Sequence, residues 1–118
     1  MEGTIPIKMV YLSGPISGYS LDERRKTFFE KQQEFEALGW LVMNPMANGL
    51  PSDSSIHQHM RRDIEMLLKC DAIYFMENWL YSVGCKVEFE VAVACGIDIY
   101  FEEAHSIDLS KKTDSSNE

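Results

Sequence analysis

Two acidic residues stand where a freely solvated acid would not be expected. In Ser82-Val83-Gly84-Cys85-Lys86-Val87-Glu88-Phe89-Glu90, two glutamates lie two residues apart within an apolar run. At about 100° per residue of helix, Lys86 and Glu90 share one side, a turn apart and able to pair. Glu88 points nearly the opposite way, beside Gly84, Ala92 and Cys95. Val83, Val87, Phe89, Val91, Val93 and Ala94 fill most of the remaining circumference. The helix is therefore expected to be covered on nearly all sides, with Lys86 and Glu90 marking a narrow wet strip. Glu88 is then a carboxylate facing protein, and such a group has a partner or a task.

Asp63 is the second acid. It falls inside an apolar helical stripe between Ile56, Met60 and Leu67, while Glu65 points away. It is either a boundary residue paired with Arg61, Arg62 or a backbone amide, or a second carboxylate opposite Glu88. One ionised carboxylate near a helix N-terminus and one buried enough to hold a proton can together cleave a glycosidic bond. The first attacks or stabilises the anomeric carbon and the second handles the proton. For that role Asp63 must reach the strand tips, so its helix is expected to begin later than Ser55 or Ile56.

Other polar residues gather near these two. Tyr11 closes a strand; it either fills core or turns its hydroxyl to a carboxylate. Ser13-Gly14-Pro15-Ile16-Ser17-Gly18 is a plain strand-to-helix turn or a cradle for phosphate or hydroxyl. It lacks the spacing of a P-loop or of a dinucleotide-binding loop, which argues against ATP hydrolysis and NAD binding. Ser82 caps a helix, and its neighbouring amides with Gly84 could also hold an anion. Trp79 either lines a base pocket or anchors its loop. His57 and His59 lack a third ligand at useful spacing; they read as solvated surface and no metal site is assigned. Asp22-Glu23-Arg24-Arg25-Lys26 reads as a solvated helix face from which Arg24 or Arg25 could turn to an anion.

The elements that must position these residues alternate. Strands are predicted at residues 7–12, 40–43, 72–76 and 97–101. Between them lie a helix from an Ser20 cap and Glu23 capping box to Gly39, a helix carrying Ile56, Met60, Ile64, Leu67 and Leu68 on one face, and the Glu88 helix, ended by Gly96. This order implies an α/β fold: one Rossmann-like or flavodoxin-like domain, a parallel sheet of order 2-1-3-4 with helices on both faces. Ligands bind such sheets at the carboxyl edge where strand order reverses, here between the loops at 13–20 and 77–82. The domain is expected over residues 1–104, followed by a polar, flexible tail over 105–118.

At 118 residues the chain suits a single domain. A net charge of −8 argues against a nucleic-acid polymer as partner. There is no long apolar span for a membrane and no signal-peptide layout in Met1-Glu2-Gly3-Thr4. Cys70, Cys85 and Cys95 are odd in number and form no C-x-x-C pair, favouring free buried thiols in a reducing compartment. Cytoplasmic small-molecule chemistry without a cofactor is the expectation.

Three blocks in order carry a further likeness: Tyr11-Leu12-Ser13-Gly14-Pro15-Ile16-Ser17-Gly18; Arg62-Asp63-Ile64-Glu65-Met66-Leu67 with Cys70-Asp71-Ala72; and Ser82-x-Gly84-x-x-x-Glu88 with Ala92. From about Ile7 to Phe101 the chain resembles the nucleoside 2-deoxyribosyltransferase superfamily. The resemblance implies that Glu88 attacks C1' of a deoxyribose, that Asp63 assists the leaving base, and that Tyr11 orients Glu88. It implies a homo-oligomer and a nucleotide or nucleoside substrate, with Gly14, Ile16, Ser17, Gly18, Ser82 and Gly84 around its phosphate and sugar. A serine at position 82, rather than an aspartate, is similar to the branch that hydrolyses 2'-deoxynucleoside 5'-monophosphates; base-exchanging transferases are the alternative, and a non-catalytic nucleotide-binding module the other. Ser17 departs from that branch, which has an arginine in this loop, so Arg24, Arg25 or Lys86 would have to supply the phosphate's cation.

Overall fold

A computed structural model describes residues 8–102, and the expected tail at 105–118 lies outside them. The strands are β1 (Met9–Ser13), β2 (Leu41–Met43), β3 (Ala72–Phe75) and β4 (Asp98–Phe101); the helices are α1 (Leu21–Ala37), α2 (Ile56–Leu68) and α3 (Val83–Cys95). The four strands form one sheet of order β2-β1-β3-β4, every pairing parallel, as the alternation of elements predicts.

Side chains alternate across the sheet with the period of two that a strand imposes. Val10, Leu12, Ala72, Tyr74 and Met76 pack with Phe28 and Phe35 of α1 on one face. Tyr11, Ile73, Phe75 and Ile99 pack on the other with Met66 and Leu67 of α2 and Cys85 and Ala92 of α3. Helices therefore cover both faces, one on the first and two on the second. β1 extends one residue beyond the predicted end, so Ser13 continues the alternation on the face of Tyr11.

Helix boundaries follow their caps. Ser20 Oγ accepts from Glu23 N–H, Ser55 and Gln58 form a reciprocal capping box, and Ser82 Oγ accepts from Cys85 N–H. Gly96 ends α3 at φ 70°, a left-handed conformation that an L side chain resists.

Two expectations about α3 and its surroundings fail. Its outer face is not covered: Val83 is 76% exposed, and Val87, Val93, Ala94 and Cys95 are also exposed. The helix packs on one side only, and apolarity alone does not supply a neighbour for the other. Cys70 and Cys85 are buried free thiols, but Cys95 is an exposed one. Among the described residues, no helix is long and apolar enough to cross a membrane.

Candidate active site

α3 presents Glu88 to the sheet and Glu90 to solvent, as the helical wheel requires. Glu88 is 5% exposed and lies over β1. Tyr11 Oη donates to its Oε2 at 2.7 Å, and Ser13 Oγ donates to its Oε1 at 2.6 Å. Residues two apart on one strand face can both reach one carboxylate, one to each oxygen. Burial disfavours the charged carboxylate and pushes Glu88 up to about 7; the two hydroxyls oppose the shift, and the nearby Asp63 adds to it. Burial, then the charge of Glu88, keep the Tyr11 phenol protonated well above its usual range.

Asp63 lies across a cavity of about 720 Å³ from this clamp, and the cavity is lined by Tyr11, Ser13, Asp63 and Glu88 together. α2 begins at Ile56, not later, yet Asp63 still reaches the site. At the usual rises per residue, α2 is about 18 Å long and β3 about 10 Å. Because α2 ends just before β3 starts, its first turns overhang the carboxyl edge of the sheet and Asp63 comes level with it. Asp63 is 8% exposed, and burial raises its carboxyl above the ordinary range despite opposition from Asn48, His59 and Arg62.

The cavity opens at the β1/β3 reversal, where parallel sheets hold their ligands. Gly14, Ile16, Ser17, Ser82 and Gly84 line it. Gly14 admits no larger residue easily, since a Cβ there would sit 3.2 Å from Met76 Cβ and from Arg24 Nη2. Two sequence-derived site residues stand elsewhere. Gly18 forms the turn before α1, at φ 86°, and is not a lining residue. Trp79 turns away into an aromatic cluster, 4.5 Å from Phe75, 5.3 Å from Phe89 and 5.4 Å from Phe101 between ring centroids. It anchors the loop by packing its indole against rings from β3, α3 and β4.

Of the three candidate cations, Arg25 lines the cavity, paired to Asp22 at 3.3 Å. Arg24 instead lies over the Tyr19 and Phe28 rings, at 4.9 and 5.2 Å, and Lys86 is exposed on the outer face of α3.

Three contributors escape sequence reasoning. Ser13 reads as the first loop residue because glycine and proline follow it; strand periodicity from Tyr11 could have found it. Asn48 lies in a polar loop without local signal, yet its side chain bonds Asp63 at 2.9 Å. His59, expected on a solvated surface, is half-buried and lines the cavity. It sits four residues before Asp63, hence on the same helix face, which was the available signal.

A family model described as Domain of unknown function (DUF4406) matches residues 8–101. The fold is similar to that of a conserved protein from Enterococcus faecalis V583, with a TM-score of 0.65 at 20% identity, covering 86% of this chain and 66% of that one. The chain thus spans just under two thirds of that protein's length, and the likeness is one of fold. No curated protein matches the chain.

Proposed function

The chain belongs to the DUF4406 family, and we propose that it hydrolyses the N-glycosidic bond of a 2'-deoxynucleoside 5'-monophosphate. The observation that carries this reading is one buried glutamate gripped at both oxygens by Tyr11 and Ser13, facing a second buried carboxyl across a nucleotide-sized cavity. The motif resemblance to nucleoside 2-deoxyribosyltransferases supports it.

In this reading, ionised Glu88 attacks C1' and the C1'–N bond breaks, its electrons passing to the base. Asp63 gives its proton to the departing base. The product of this step is a ribosyl ester of Glu88 and free base. Water then attacks C1', the carboxylate of Asp63 takes its proton, and Glu88 leaves as carboxylate. Base and deoxyribose 5-phosphate are released. Tyr11 and Ser13 hold the nucleophile in line and spread its charge. The start of α3 offers the amides of Val83 and Gly84 to the 5'-phosphate, the Ser82 N–H being donated to Trp79 O, and Arg25 supplies the cation that Ser17 does not.

The test is release of free base from a panel of deoxynucleosides and their 5'-monophosphates. Base release from a monophosphate that is lost in Glu88→Gln supports the assignment; full activity in that variant refutes it. New nucleoside formed when an acceptor base is added would make the protein a transferase instead. Nucleotide binding without release would make it a binding module. The reading includes a homo-oligomer, which the exposed valines of α3 favour; sedimentation that gives only monomer at micromolar concentration would exclude it.

A further inference from the structure

Asn48 makes more contacts than its turn requires. Its Oδ1 accepts from the backbone N–H of Leu50 at 3.0 Å, and its backbone carbonyl accepts from Arg62 Nη1 at 2.6 Å. A backbone N–H pairs only with an acceptor, so the side-chain amide is locked one way round, with Nδ2 towards α2. Nδ2 donates to Asp63 Oδ1 at 2.9 Å and lies 3.1 Å from His59 Nδ1. An amide nitrogen only donates, so the second contact makes His59 Nδ1 an acceptor. The ring proton of His59 is then on Nε2, at the opposite edge of the imidazole. Asp63 has Oδ1 occupied, which leaves Oδ2 for the proton of the neutral acid. His59 and Asp63 stand one helical turn apart, and both line the cavity.

We propose that His59 Nε2–H and Asp63 Oδ2–H act as a pair of donors that reads the leaving base and selects an edge carrying two adjacent acceptors. This rests on the hydrolase reading for the occupant and for the proton on Asp63. A 6-oxopurine presents such an edge at N7 and O6, and cytosine presents one at O2 and N3. Adenine sets an amino donor beside N7, and uracil sets N3–H beside O2. In either, a donor meets a donor and a half-buried group goes unpaired, the situation in which polar sites discriminate most strongly. Asn48 is the positioning residue, holding both donors through one amide.

The experiment compares two closely matched pairs: deoxyinosine against deoxyadenosine 5'-monophosphate, and deoxycytidine against deoxyuridine 5'-monophosphate. Base release gives kcat/KM for each, and calorimetry on the Glu88→Gln protein gives each Kd. The acceptor–acceptor member should lead by about tenfold or more in at least one pair, and which pair does so tells purine from pyrimidine. That ratio should fall towards one in His59→Phe and partly return in His59→Gln, whose amide N–H stands near the Nε2 position. Equal handling within both pairs overturns the proposal, as does a lead by deoxyadenosine or deoxyuridine monophosphate, or a ratio that survives His59→Phe. If no nucleotide releases base, the hydrolase reading fails. The Kd ratios, measured with and without His59→Phe, then still decide the donor pair, and absence of all binding overturns both.

Discussion

Replacing Glu88 by glutamine should make the protein more stable at neutral and alkaline pH. In the folded chain burial lifts the Glu88 carboxyl from 4.5 to about 7. A shift of that size corresponds to about 3 kcal/mol between the two protonation states. The folded pKa is the higher one, so between these values the native state holds a proton that the unfolded chain releases. The site's contribution is fully present below about pH 4.5 and is lost as pH rises through 7. Glutamine has the same shape and no charge to desolvate. It also keeps one acceptor oxygen, and the second hydroxyl can rotate to accept from the amide. Near pH 4 the two proteins should therefore differ by only about 1 kcal/mol. From there to pH 8 the difference should move in favour of Glu88→Gln by about 3 kcal/mol, with Asp63 common to both proteins. Urea unfolding of the pair at half-unit steps would measure it. A difference that is flat with pH, or one in which the native protein gains on the variant as pH rises, would show that Glu88 is not held above the ordinary carboxylate range.

Removing a hydroxyl from the clamp should drive that titration further up: Ser13→Ala and Tyr11→Phe each raise the Glu88 midpoint by about one unit, read by carbon NMR of labelled glutamate. The rate of base release should rise with pH as Glu88 ionises near 7, and Ser13→Ala should move that rise to higher pH. Trp79→Ala should cost about 3 kcal/mol by stripping the aromatic cluster while nucleotide Kd stays unchanged, because the indole faces away from the cavity. Gly14→Ala should cost about 1–3 kcal/mol in unfolding titrations, since Met76 and Arg24 leave a methyl group little room.

Much of this arrangement is readable in the chain because it depends on local geometry. Serines at 20 and 82 set helix starts, alternating elements set a parallel sheet of order 2-1-3-4, and a wheel alone separates buried Glu88 from exposed Glu90. The rest depends on neighbours distant in sequence. The valines of α3 report an affinity for apolar surroundings, not which surroundings exist, and Val83, Val87 and Val93 are exposed. Trp79 packs where Phe75, Phe89 and Phe101 meet, and three separate elements bring those rings together. Asn48 and His59 acquire meaning from each other and from Asp63. The overhang of α2 follows from comparing a helix with a strand of different rise, a comparison that element boundaries alone do not make.

The clamp on Glu88 joins residues 77 and 75 positions apart, and that span orders the folding of the site. Contacts of long sequence separation form late, because the loop they close must first be confined. β1, β2 and β3 all precede α3 in the chain and can pair before α3 docks. Such a chain holds Tyr11, Ser13 and Asp63 around a gap. The carboxylate acquires its raised proton affinity only when the final helix–strand unit docks, because burial is what raises it. Proton uptake by Glu88 would then serve as a clock for the last step of folding.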